Sequence, residues 1–136
     1  DEKLTFEEAI KAESARLHGE EEKLRRSPKY AAKNFRLYSY KKRGEYAEQL
    51  KRWLKYFLRE QILVLTTDEL SKNTLETMNR VFKFLNLSEL EQLTIAKEES
   101  NYPPMNPKMR EKLIEYFRPH NQRLMKVLGR QLDWDK

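Results

Sequence analysis

Between Lys23 and Arg59 the chain carries 13 basic residues and 2 acidic ones, with Tyr30, Phe35, Tyr38, Tyr40 and Tyr46 set among them. Cations neutralise a phosphate, sulfate or carboxylate, and aromatic faces stack on bases or sugar rings, so this mixture suits an anionic ligand. A solvated basic surface lying over an aromatic core accounts for the same pattern. The charge is local. Residues 1 to 22 carry 3 basic and 8 acidic side chains, and residues 60 to 136 carry 12 of each, so the formal net charge of +6 comes from one window. A localised basic stretch is an argument about partners rather than about fold.

Other chemistry is poorly served. His18 and His120 are the only histidines and neither has a partner at metal-ligand spacing, while the absence of cysteine removes thiolate sites, so no metal is expected. His120 falls on the apolar stripe of a helix and reads as a hydrogen-bonded packing residue. His18, near a helix C-terminus, reads as a favourable end charge. Gly19, Gly44 and Gly129 are isolated, and none sits between a strand and a helix, so the backbone cradle of a nucleotide-binding loop is not encoded.

The elements that position these residues follow from spacing. "TFEEAIKAESARLHG" predicts a helix opened by a Thr5/Glu8 capping box and ended by Gly19. Residues 20 to 43 show no sustained period and read as an ordered loop with a helical turn near Tyr30 to Phe35. "GEYAEQLKRWLKYF" restores helical spacing, and "KNTLETMNRVFKFLNL" predicts a helix capped by Asn73. Between them Ile62, Leu63, Val64 and Leu65 form an unalternating apolar run, the mark of a parallel strand covered on both faces, over about 61–66. Such a strand needs neighbours, which then lie outside this chain or in a second copy of it. The paired prolines of "AKEESNYPPM" predict a late loop, and Asn106 with Pro107 opens a final helix that ends at Gly129 and that Pro119 kinks or divides. Trp53, Phe82, Phe84, Tyr116 and Phe117 are assigned to the core.

Taken in order, Arg43-Gly44-x-Tyr46 with Trp53, the strand ending in an acidic-Leu pair, Phe84-Leu85, Tyr102-Pro103, Tyr116-Phe117-Arg118-Pro119-x-Asn121, Leu128-Gly129 and Asp133-Trp134 make a specific pattern. It resembles the C-terminal half of sulfotransferases of the heparan-sulfate and bacterial carbohydrate type, across essentially the whole chain. The resemblance implies an α/β class: the C-terminal half of a P-loop sulfotransferase-like fold, mostly helical here with the one core parallel strand, forming a single unit over 1–136. It implies a donor cosubstrate, 3′-phosphoadenosine 5′-phosphosulfate, and no metal. The N-terminal half of the domain would hold the phosphosulfate loop and the acid/base group, so no catalytic residue is assigned in this chain, and alone it should be inactive.

Carried over position by position, the resemblance places Thr67 by the adenine. The family's Lys-Gly-Arg run that holds the 3′-phosphate is matched here by Glu98, Glu99 and Ser100, two of which repel phosphate, leaving Lys97 and Ser100 as nucleotide contacts. Tyr102 stands where the family faces its acceptor, although a tyrosine before Pro-Pro also reads as packing for the loop, and Lys41, Lys42 and Arg43 are able to contact an anionic acceptor such as a sulfated or carboxylated sugar. The expected partners are the N-terminal half or a second copy, with nucleic acid disfavoured. The alternative is a non-catalytic basic helical module that binds polyanions.

At 136 residues the chain has the size of one domain. No apolar run approaches the ~20 residues that span a bilayer. The acidic start is unlike a signal peptide, and its lack of a leading Met suggests a trimmed product. A cysteine-free composition makes a reducing compartment, the cytoplasm, the default expectation.

Overall fold

The computed structural model describes residues 2–27, 29–94 and 103–134. Among them seven α-helices follow in chain order: α1 (Phe6–Leu17), α2 (Glu20–Arg26), α3 (Lys33–Tyr38), α4 (Tyr46–Trp53), α5 (Thr67–Lys72), α6 (Thr74–Phe84) and α7 (Pro107–Leu128). Two compact units result, Asp1–Arg52 with Pro104–Lys136, and Trp53–Pro103.

In the first unit α1 begins as its sequence dictates. The Glu8 N–H donates to Thr5 Oγ1 at 3.4 Å and the Thr5 N–H donates to the Glu8 carboxylate at 2.9 Å, a reciprocal cap that satisfies two helix-end donors. His18 is the C-cap, and Gly19, at φ 73°, turns the chain directly into α2. The loop expected over this stretch is therefore a helix. It has no apolar stripe to betray it, but Glu20, Glu21 and Glu22 at its start and Arg25 and Arg26 at its end complement the helix dipole. Glu22 also pairs with Arg26 at i, i+4, 2.5 Å apart. The helical turn expected at Tyr30 to Phe35 lies further on, as α3, which packs against α1.

A 3₁₀ turn, Lys42–Gly44, leads into α4. In α7 Asn106 Oδ1 accepts the Lys108 N–H at 3.0 Å, Pro107 occupies the first turn, and Gly129 closes the helix at φ 69°. Pro119 does not divide it; α7 runs unbroken for 22 residues. The buried apolar residues Ala9, Ile10, Ala32, Ala47, Leu50, Met109 and Leu124 all belong to this unit.

The second unit is thinner. Thr66 and Glu69 make a capping box at α5, and Glu69 also takes an Arg80 guanidinium at 2.7 Å. Asn86, at φ 57°, ends α6 with the Leu87 N–H on the Phe82 carbonyl at 2.8 Å, the bond that a left-handed helix cap makes. Beyond it, the Asn79 amide holds the backbone of Leu90 from both sides, at 2.9 and 2.8 Å.

Two expectations need correction here. Ile62 to Leu65 are only half-buried, with Ile62 in the extended region, and no residue among the described ones joins a sheet ladder, so the covered parallel strand is not confirmed. Trp53 is 60% exposed and Phe84 is also exposed, whereas Phe82, Tyr116 and Phe117 are partly buried. The physical reason is common to both. Among the described residues this unit buries only Thr77, so its apolar side chains lack a core to enter.

Candidate functional site

The basic triplet is held by a carboxylate that its own sequence neighbourhood does not contain. Glu13, on α1 and only 3% exposed, accepts the Lys41 N–H at 3.0 Å and the Lys42 N–H at 2.9 Å on its two oxygens. A buried carboxylate needs such donors, and two adjacent amides fix the turn that carries the cations.

The side chains are then largely spoken for. Lys41 Nζ lies 4.0 Å from Glu13 Oε2 and 4.9 Å over the Tyr116 ring. Lys42 Nζ lies 3.0 Å from Glu45 Oε2 and 3.6 Å from Glu21 Oε1. Arg43 differs: its guanidinium donates to the Arg36 carbonyl and is in no ion pair among the described residues. Of the three cations Arg43 is the one that no carboxylate among the described residues holds, whereas Lys41 and Lys42 would have to leave carboxylates to meet any anion.

Behind the triplet the Tyr116 hydroxyl donates to Glu45 Oε1 at 2.7 Å, and His120 stacks on Tyr116 with ring centroids 5.1 Å apart. His120 Nδ1 also stands 3.1 Å from an Arg123 guanidinium nitrogen, a packing role. Burial pushes the Glu45 carboxyl up, but the bonds from Tyr116 and Lys42 outweigh it and hold it below the usual carboxylate range. Burial and the Glu45 charge push the Tyr116 phenol far above its ordinary range. A carboxyl held low beside a phenol held high keeps the charge on Glu45 and the proton on Tyr116, and their 2.7 Å bond fixes the geometry of the turn.

The spaced motif residues meet in the same place. A Cβ on Gly44 would stand 2.6 Å from Phe117 Cε1, so this glycine is required for space. Tyr46 packs on Trp134, ring centroids 6.1 Å apart. Two cavities flank the turn. One, about 790 Å³, is lined by Glu13, Glu21, Lys41, Lys42, Glu45 and Tyr116 among others. A second, about 630 Å³, carries Arg36, Arg43 and Arg52. Both fall within the size range of ligand sites.

Thr67 belongs to the other unit, exposed at the first position of α5, while the neighbouring Thr66 hydroxyl accepts the Glu69 N–H at 3.1 Å. Lys97, Ser100 and Tyr102 lie outside the described residues. Among the described residues no group of three His, Cys, Asp or Glu is placed to hold a metal ion, and no helix is long and apolar enough to cross a membrane. Glu13 and Glu45 were not singled out from the sequence. Glu45 had a signal, its place inside Arg43-Gly44-x-Tyr46; Glu13 had none.

Comparison with known proteins gives a consistent result. A family model described as sulfotransferase domain matches residues 17–123. Carbohydrate sulfotransferase 15 of Homo sapiens is 36% identical over 98 residues, covering 63% of this chain and 18% of that protein. Heparan sulfate glucosamine 3-O-sulfotransferase 5 of Homo sapiens is 30% identical over 112 residues, covering 65% of this chain and 32% of that protein. A crystal structure of a sulfotransferase from Alicyclobacillus acidocaldarius superposes with a TM-score of 0.64 at 28% identity, covering 99% of this chain and 47% of that chain. The chain thus spans about a third or less of these curated relatives and about half of the solved structure.

Proposed function

This chain belongs to the sulfotransferase domain family and has a sulfotransferase-like fold, and we propose that the protein carrying it moves a sulfuryl group from 3′-phosphoadenosine 5′-phosphosulfate to a hydroxyl or amine of a carbohydrate. The observation that carries the reading is the family match over 17–123, well over half of the chain. The packing of Gly44 on Phe117, the Tyr116–Glu45 bond and the Tyr46–Trp134 contact support it from the structure, because motif residues far apart in sequence meet in space.

The described residues do not build the donor site. Thr67 is exposed and able to meet an adenine edge, while Lys97 and Ser100, the proposed phosphate contacts, lie outside the described residues. The phosphosulfate loop and the acid/base group belong, on this reading, to the N-terminal part of the domain, supplied by the same polypeptide or by a partner. This chain contributes the acceptor side, with Lys41, Lys42, Arg43 and Tyr102 facing an anionic sugar, and Lys97 and Ser100 meeting the 3′-phosphate. The cysteine-free composition suits a reducing compartment, and on that ground we assign the protein to the cytoplasm.

Transfer of ³⁵S from labelled donor to sulfated and unsulfated glycans tests this. Label should pass to glycan when the whole domain is present and not when the 136-residue chain is assayed alone. Turnover by the chain alone would refute the division of labour; no transfer by the whole domain to any glycan would refute the acceptor class.

A further inference from the structure

We propose that Arg36, Arg43 and Arg52 form an anion subsite that takes a sulfate or carboxylate group of a sugar chain. All three line the cavity of about 630 Å³ beside the Lys42–Gly44 turn. They come from three elements, α3, the turn and α4, so their meeting is a product of the fold.

The charge balance of that cavity is what points to a ligand. Lys42 and three carboxylates, Glu21, Glu45 and Glu48, also line it, and each carboxylate is already engaged by a lysine. Lys42 takes Glu45 at 3.0 Å and Glu21 at 3.6 Å, and Lys51 takes Glu48 at 3.3 Å. Among the described residues none of the three guanidiniums has a carboxylate within ion-pair distance. Like charges gathered around one concavity repel one another and raise the local potential, a cost that an entering anion relieves. Guanidinium forks match sulfate and carboxylate bidentately, which lysines do not.

The site is also held in place. Gln49 Nε2 donates to the Arg43 carbonyl at 2.9 Å, and the Arg43 guanidinium donates to the Arg36 carbonyl, so two of the three arginines are tied through backbone. Phe35, half-buried in the wall, offers the apolar face that a sugar ring stacks on. The other cavity, with Lys41 and Lys42 paired to carboxylates, lacks this excess of positive charge. That the anion is borne by a sugar rests on the proposed function; the anion preference rests on the arginines alone.

Calorimetry on the 136-residue chain, without nucleotide, tests the subsite with a heparin-derived hexasaccharide, uncharged maltohexaose and sodium sulfate as probes. The hexasaccharide should bind, and Arg36→Gln with Arg52→Gln should weaken it by about tenfold and lower the salt slope by about two. Arg25→Gln with Arg26→Gln removes the same charge from the rim of the other cavity and should change affinity less than twofold. Equal loss in both pairs would show that binding follows net charge and overturn the subsite. Equal affinity for maltohexaose overturns it too, and sulfate binding as tightly as the hexasaccharide would make it a free-anion site. Arg36→Lys with Arg52→Lys, checked for native circular dichroism, should recover only part of the loss, because charge returns without the fork. If the whole domain transfers sulfuryl groups with an unchanged KM in the Gln pair, the subsite fails while the proposed function stands; if it transfers none, the binding result still decides the subsite.

Discussion

The Tyr116 hydroxyl reaches Glu45 Oε1 at 2.7 Å across 71 residues of sequence, and through Glu45 it fixes the ammonium of Lys42 at 3.0 Å. One phenol on α7 therefore sets the position of a cation in the turn that precedes α4. Tyr116→Phe leaves the ring and its His120 stacking in place but strips a donor from a buried carboxylate, at a cost of about 2 kcal/mol.

The same pair predicts a pH profile. Folded Glu45 titrates below the unfolded carboxyl, about 4.3, so the stability it contributes is complete above that value and is lost as pH falls through the folded value. Folded Tyr116 titrates above the unfolded phenol, about 10, so its contribution is complete below that value and is lost as pH rises through the folded one. Thermal unfolding of wild type and Tyr116→Phe across pH should therefore converge at the alkaline end and show a shallower acid limb in the variant. Curves that stay parallel at every pH would contradict the linkage.

Gly44 is a matter of volume. An alanine there puts its methyl 2.6 and 2.8 Å from Phe117 ring carbons, an overlap that costs about 1–3 kcal/mol. Phe117→Leu withdraws those atoms. In a double-mutant cycle Gly44→Ala should be better tolerated in the Phe117→Leu background, with a coupling above 0.5 kcal/mol, at about the lower limit for residues in contact. Additive effects would mean that Gly44 is needed for some reason other than Phe117.

How far the sequence foretold this arrangement depends on the range of the signals. Local signals were legible: the Thr5/Glu8 box, Asn106 with Pro107, and Gly129 all stand where capping chemistry puts them. The helix α2 was missed because its signal is charge order rather than apolar period, and α5 because its capping residues Thr66 and Glu69 abut a run that reads as strand. Pro119 stays inside α7, where its missing N–H costs one helix bond without ending the helix. Glu13 illustrates the hardest case. Its role comes from two amides 28 and 29 residues away, and nothing at its own position distinguishes it from the exposed acids around it.

Removing that carboxylate should be expensive. Glu13→Ala deletes two charge-assisted bonds and leaves the Lys41 and Lys42 amides without their acceptor, costing about 3 kcal/mol. Glu13→Gln keeps one oxygen and should recover part of it. Chemical denaturation of both variants checks the order; equal stabilities would show that the amides find water instead.

Trp53, Tyr56 and Leu58 are 60, 81 and 70% exposed within six residues of chain. Scattered apolar residues on a surface mean little, but this run precedes the half-buried Ile62 to Leu65 in a unit that buries only Thr77 among its described residues, as expected if the rest of the proposed domain packs on it. On that reading, the cost of a substitution depends on whether the rest of the domain is present. Trp53→Ser and Leu58→Ser should each change the stability of the isolated chain by less than about 0.5 kcal/mol. In the complete domain, where those side chains are core, each should cost about 3–5 kcal/mol. Denaturant titrations of both forms make the comparison, and equal small effects in the complete domain would show that this face stays in water.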